Sequence, residues 1–165
     1  MSSDGSTVLF RALSSDLRFS SEEKGALKQF ARELTERVAE GRAFTSLLTN
    51  DRELHRLNRE FLGHDYATDV LSFPAYEPDG HLGELAISVQ RAEAQAGEFG
   101  HSLLAEIRIL MLHGLLHLTG MDHEQDRGEM ARAERKWRTE FDLPVTLIAR
   151  SRPARKPGRA GAVRP

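Results

Sequence analysis

The chain has 165 residues, of which 39% are hydrophobic and 29% are charged, which is ordinary for one globular domain. It contains no cysteine, which excludes disulfides and agrees with a cytoplasmic location. No stretch approaches the roughly 18 apolar residues of a membrane helix. The N-terminus also lacks the cationic start and apolar run of a signal peptide. We therefore expect a cytoplasmic protein without a membrane partner.

Charge is distributed unevenly along the chain. All 25 acidic residues precede position 150, together with 17 of the 23 basic residues, so residues 1–149 carry a net charge of −8. Residues 150–165 hold the other six basic residues and no acid, and are rich in Pro and Gly. We expect a single domain over residues 1–149 and a disordered basic tail over 150–165. The tail either binds a polyanion or only aids solubility.

Short apolar runs alternate with helical patterns along the chain. A capping box of Ser20 and Glu23 predicts a helix to about Ala39, and Asn50 with Glu53 predicts a second one, ended by Gly63. Ser88 begins a third helix, which Gly100 ends, and Ser102 begins a fourth; Asp126 with Glu129 predicts a cap for a fifth. Strands are predicted over residues 7–13, 43–49, 69–75, 84–89 and, at the edge, 143–149.

The fourth helix carries the most informative pattern. His113 and His117 are four residues apart and share one helix face, while Gly120 is placed to end the helix and let His123 return towards them. The rest of this helix is apolar almost all round, so it should be buried, where imidazoles need strong partners. Ordinary hydrogen-bonded histidines are the simpler alternative. We predict instead one Zn²⁺ held by three histidines and a water, as in catalytic zinc sites. Residues 1–149 are therefore expected to form a metallohydrolase-like catalytic domain.

These elements predict an α+β fold. It consists of a single small mixed β-sheet of about four strands covered by about five helices, with the buried metal-binding helix at its centre. The spacing H-x-x-x-H-x-x-G-x-x-H also equals that of the metzincin proteases. Those enzymes use a Glu after the first His as general base, and this chain has Gly114 there. Peptide hydrolysis by that mechanism therefore loses its base.

Three sequence blocks resemble the YbeY family of bacterial rRNA-maturation endoribonucleases. They occur in the family's order and read L-N-R-E-F-L-G-H-D-Y-A-T-D-V-L-S-F-P (57–74), L-G-E-L-A-I-S (82–88) and H-G-L-L-H-L-T-G-M-D-H (113–123). The resemblance implies a metal-dependent, single-strand-specific endoribonuclease acting in 16S rRNA 3′-end maturation and ribosome quality control. It implies that His113, His117 and His123 bind zinc. The implied partners are the 16S rRNA precursor and the ribosome or its small subunit.

One position departs from the family pattern. Many members have an Arg directly after the aromatic residue of the first block, whereas here Leu62 follows Phe61. Arg59 lies three residues before Leu62 on the same predicted helix and could replace it as a catalytic residue. The alternative is a solvated surface Arg.

Other residues are candidates for binding the substrate or for orienting the metal-binding imidazoles. Ser72 and Arg91 are candidate substrate-binding residues, and Thr68 and Asp69 could line the cleft or only make turn hydrogen bonds. Asp122 and Glu124 are better suited to orient imidazoles than to act as the general base, which remains unassigned. With an acidic domain, any RNA groove must be local, and its candidates are the helix arginines Arg52, Arg56 and Arg59, together with Arg91 and the basic tail.

Three functions compete on this sequence. A metal-dependent endoribonuclease leads because of the three blocks. A metalloprotease or other metallohydrolase comes second. A non-catalytic, ribosome-associated factor with a structural metal is third.

Overall fold

A computed structural model describes residues 6–66, 68–75, 80–122 and 125–145. Within these ranges the chain forms a short 3₁₀ helix, Ser15–Leu17, and nine longer elements. The strands are β1 (Thr7–Phe10), β2 (Ala43–Thr49), β3 (Val70–Pro74) and β4 (His81–Ser88). The helices are α1 (Ser21–Arg37), α2 (Asp51–Leu62), α3 (Val89–Phe99), α4 (Leu103–Leu118) and α5 (Glu129–Glu140). The predicted α+β class is confirmed.

The sheet is mixed and has the strand order β1-β2-β4-β3. β1, β2 and β4 run parallel, and β3 pairs with β4 in the antiparallel direction. β3 is therefore an edge strand. The predicted small sheet of four strands is confirmed, and β2 has the predicted bounds. The predicted fifth strand is wrong for Leu143, Pro144 and Val145, which form no strand; residues 146–149 lie outside the described residues.

Side-chain caps start four of the five helices where the sequence placed them. Ser20 and Glu23 form the reciprocal capping box of α1, and Asn50, Ser88 and Ser102 each accept a backbone N–H at the start of their helices. The cap predicted for α5 is wrong in position. Its N-cap is Gly128, with φ +100°, and α5 begins at Glu129.

Asp126 nevertheless satisfies donors at the start of α5. Its carboxylate accepts the backbone N–H of Gly128 at 2.8 Å and that of Met130 at 2.9 Å. A carboxylate two residues before the N-cap thus serves two N–H groups near the helix N-terminus, where negative charge is favourable. The sequence identified the residue but not its place relative to the helix.

α4 is the central element of the core. Eleven of its residues are buried, among them Glu106 and His117, and its apolar side chains join the main core with those of α1 and the sheet. No single helix in the described part of the chain is long and apolar enough to cross a membrane; α3 and α4 meet that test only together, with a bend of 112° between them.

The two sides of the sheet carry different helices. Val70 and Ile87 belong to the main core with α4, whereas Leu71 and Ala86, their neighbours along β3 and β4, pack with Leu54 of α2. Because successive strand residues point to opposite faces, α2 and α4 cover opposite faces of the sheet near its β3 edge.

Candidate metal centre

His113 and His117 lie side by side on the last two turns of α4. Their ring centroids are 4.9 Å apart and the ring planes are inclined by 71°. The side chain of His113 is 13% exposed, and His117 is buried. The two imidazoles therefore lie on one helix face, as predicted, where little of either side chain is exposed to solvent.

Glu134 on α5 fixes the orientation of His113. Its Oε1 lies 2.9 Å from Nδ1 of His113. An ionised carboxylate only accepts, so Nδ1 carries the proton and Nε2 carries the lone pair. A carboxylate on one imidazole nitrogen is the usual support for a histidine whose other nitrogen binds a metal.

Arg138 completes this polar chain. Its Nη2 donates to Oε2 of Glu134 at 2.5 Å, and its Nη1 donates to the carbonyl of Pro144 at 3.4 Å. Burial disfavours ionisation of Glu134, but the hydrogen bonds from His113 and Arg138 and the positive charge of the Arg138 guanidinium outweigh it and hold the pKa of Glu134 well below its usual range. Glu134 is therefore a permanent acceptor for His113.

The chain turns sharply after α4. Gly120 has φ +106°, and the N–H of Met121 donates to the carbonyl of Leu116 at 3.1 Å, as in a glycine-terminated helix. The predicted helix end is confirmed. His123 and Glu124 lie outside the described residues, so the third ligand stays a prediction. Among the described residues, no group of three or more His, Cys, Asp or Glu side chains forms a metal site.

Gly114 faces the sheet. A Cβ atom at this position would lie 2.7 Å from Cδ2 of Leu85 and 3.3 Å from Oγ of Ser72. Gly114, directly after the first histidine, therefore packs tightly against β3 and β4. A side chain there would point into this packed contact, where Leu85 is 1% exposed.

Ser72 is fully buried at the same contact. Its hydroxyl donates to the carbonyl of Gly114 at 3.2 Å and so ties β3 to α4 beside His113. Thr68 and Asp69 are also buried, with Oγ1 of Thr68 3.5 Å from Oδ1 of Asp69. Asp122 is half-buried after α4. The assignment of Ser72 to substrate binding stays a prediction; in this structure the hydroxyl positions the helix.

The predicted arginines lie on exposed surfaces. Arg56 pairs with Glu53 and Glu60 on its own helix, and this pairing raises the pKa of Arg56 further. Arg91 of α3 pairs with Asp51 at 3.1 Å.

Arg52 and Arg59 are exposed, and neither forms an ion pair within the described ranges. Leu62, at the position where the resemblance implies an Arg, packs against the small cluster between α2 and the sheet. The candidate catalytic role of Arg59 stays a prediction.

The donor set suits a transition metal. Two imidazoles meet on one helix face, and the Nδ1 proton of His113 is held by a carboxylate, which directs Nε2 to a metal. His113 and His117, with His123 as the predicted third, are the residues that would hold it.

The roles of Glu134 and Arg138 were not predicted from the sequence. The pattern did contain an indication, because Glu134 lies four residues after Met130 on the apolar side of the predicted α5 helix, and Arg138 follows after four more. A carboxylate among core residues requires a buried partner. The sequence did not show that the partner was a histidine of α4.

The fold and this arrangement define an α+β protein with a candidate histidine metal centre on a buried helix. The family model described as endoribonuclease YbeY matches residues 14–142, most of the chain. The protein belongs to the YbeY endoribonuclease family.

Curated relatives named endoribonuclease YbeY cover most of the sequence. The protein of Solibacter usitatus is 54% identical over 149 residues, which are 90% of this chain and 97% of the relative. The protein of Helicobacter pylori strain J99 is 42% identical over 123 residues, 72% of this chain and 87% of the relative. The solution structure of TM1509 from Thermotoga maritima has a similar fold, with a TM-score of 0.56 and 26% identity over 90% of this chain and 99% of that one.

Proposed function

We propose that this protein is a zinc-dependent, single-strand-specific endoribonuclease of the cytoplasm. We further propose that it acts on the 16S rRNA precursor, in 3′-end maturation and ribosome quality control, in contact with the small ribosomal subunit. Membership of the family supports RNA hydrolysis. The observation that carries the metal dependence is the paired imidazoles of His113 and His117, with Glu134 behind the first.

Phosphodiester cleavage needs an activated oxygen nucleophile and positive charge near the non-bridging oxygens. A bound zinc ion would supply both, by lowering the pKa of water to about 7 and by polarising the phosphoryl group. The chain's own residues prepare the site. Glu134 keeps the proton on Nδ1 of His113, Arg138 keeps Glu134 ionised, and the Ser72 hydrogen bond holds α4 in place.

The geometry at Gly114 disfavours the protease alternative. The protease mechanism needs a carboxylate directly after the first histidine. In this structure, a side chain at position 114 would point at Leu85 and Ser72 in the core. Even a glutamate introduced at this position would meet the sheet before it could reach a substrate.

The proposal is tested with RNA cleavage by purified protein. A 5′-labelled single-stranded RNA and its duplex are incubated with protein that has been stripped by a chelator and then reloaded with zinc. Cleavage of the single strand alone, lost on stripping and restored by zinc, is the expected result. Cleavage that persists after stripping would contradict the zinc dependence. No cleavage by the zinc-loaded protein would contradict the proposal and favour a non-catalytic factor.

The place in ribosome assembly requires its own experiment. Cells lacking the protein should accumulate 16S rRNA with an extended 3′ end, and the wild-type gene should restore the mature end. Restoration by a His117→Ala variant would contradict a catalytic role in this step.

A further inference from the structure

An exposed aromatic ring lies beside the sheet edge nearest the metal helix. Phe61, on the last turn of α2, is 64% exposed, far more than the other aromatic residues among those described. Its ring packs edge-on against Phe73 of β3, with centroids 6.3 Å apart and planes inclined by 80°. Phe61 is thus largely exposed to solvent while its ring keeps one contact with Phe73.

The position of Phe73 is fixed by the sheet. Phe73 pairs with Glu84 and the next residue, Pro74, pairs with Gly83 of β4. Gly83 has φ +144°, and a Cβ there would lie 2.3 Å from the carbonyl oxygen of Phe73. Only glycine permits this close approach of the two strands. Phe73 is therefore a rigid support for the Phe61 ring.

This aromatic pair is linked to the candidate metal centre through strand β3. Ser72, which bonds the Gly114 carbonyl beside His113, directly precedes Phe73 on β3. The two side chains point to opposite faces of an edge strand. The aromatic pair and the histidine-bearing helix α4 therefore pack on opposite faces of the same edge strand.

The helix that carries Phe61 also carries two exposed basic side chains. Arg52 and Arg59 on α2 are exposed and form no ion pair within the described ranges, unlike Arg56. Single-stranded nucleic acid is bound by stacking bases on aromatic rings while basic side chains contact the backbone.

We propose that Phe61, supported by Phe73, is a stacking platform for one unpaired base of the RNA substrate. The inference rests on the proposed endoribonuclease function and gives it a physical basis for single-strand preference. A base within a duplex is already stacked and cannot lie on the Phe61 ring.

The test compares Phe61→Leu with Phe61→Trp in zinc-loaded protein. Leucine keeps an apolar contact without a ring, and tryptophan keeps a stacking surface. Steady-state cleavage of a short single-stranded RNA should show a KM raised about fivefold or more by leucine, with kcat largely retained and near wild-type kinetics for tryptophan. Because Phe61 is mostly exposed, both variants should melt like wild type.

A second substrate isolates the base. Each RNA of a set lacks the base of one nucleotide. For one of these abasic RNAs the KM of wild type should rise as much as Phe61→Leu raises the KM for intact RNA. The same abasic RNA should not raise the KM of Phe61→Leu any further. If wild type cleaves RNA but Phe61→Leu has an unchanged KM, or no abasic position matters, the stacking platform is wrong and the proposed function stands.

Two other outcomes are also decisive. If zinc-loaded wild type neither binds nor cleaves RNA, the proposed function fails and the inference fails with it. If Phe61→Leu keeps its RNA kinetics but loses affinity for the small ribosomal subunit, the ring contacts a protein instead and the inference is overturned.

Discussion

The hydroxyl of Ser72 donates a 3.2 Å hydrogen bond to the carbonyl of Gly114, across the contact between β3 and α4. This bond joins the first sequence block, residues 57–74, to the histidine block, residues 113–123, through two residues that are 42 positions apart in the chain. Because Gly114 directly follows His113, packing at this contact sets where the first imidazole lies. The two sequence blocks therefore form one structural unit.

Gly114→Ala should destabilise the protein by about 1–3 kcal/mol, since the added Cβ would lie 2.7 Å from a buried Leu85 methyl group. Gly97→Ala on α3 is the matched control, because nothing lies within 4 Å of its Cβ position. That variant should gain about 0.5–1 kcal/mol, because alanine is the better helix former. Urea unfolding measures both. Equal effects at the two glycines would refute the close contact at Gly114.

Glu134→Gln should weaken metal binding about 10- to 100-fold, because the amide cannot hold the Nδ1 proton of His113 as a carboxylate does. Competition with a chromophoric chelator gives the affinity. Glu140→Gln is the control, since Glu140 lies on the same helix but pairs with Arg37 at the surface. A metal affinity that is unchanged in Glu134→Gln would show that Glu134 does not support the ligand.

Arg138→Ala should cost about 3–5 kcal/mol of stability, because it leaves the buried Glu134 carboxylate without its guanidinium partner. Arg91→Ala removes an ion pair whose side chains are 46% and 35% exposed, so it should cost at most about 1 kcal/mol. Thermal and urea unfolding of both variants decide the point. Similar losses of unfolding free energy in the two arginine variants would contradict the buried hydrogen-bonded network of His113, Glu134 and Arg138.

Arg59→Ala should weaken RNA binding without changing the melting temperature, because its side chain is exposed and forms no ion pair in the described part of the chain. The slope of log K against log salt should fall by about 1 if Arg59 contacts a phosphate. Arg32→Ala on α1, where the side chain bonds only Gln29 among the described residues, is the control. The same cleavage rate and salt slope in both variants would remove Arg59 from the site.

Local signals predicted much of this fold. Ser20, Asn50, Ser88 and Ser102 each carry a side-chain oxygen that can satisfy free N–H groups, so the starts of four helices could be read directly. The start of α5 could not, because Gly128 provides the backbone turn while Asp126 acts from two residues upstream.

Contacts between distant segments were beyond the sequence pattern. Spacing on one helix brought His113 and His117 together, but the partner of His113 comes from α5 and depends on how two helices pack. The same applies to Phe61. The sequence showed that Phe61 precedes the position where many family members have Arg, but not that its ring packs against Phe73. Tertiary packing decides both.

We propose that the histidine centre binds the metal that RNA cleavage requires. Metal content and single-strand cleavage should be measured together on wild type, His117→Ala and the exposed control His55→Ala, all purified identically. We expect about one zinc per chain and RNA cleavage in wild type and His55→Ala, and neither in a folded His117→Ala. Equal cleavage by His117→Ala and wild type would contradict the proposed metal-dependent cleavage and leave the metal without a catalytic role.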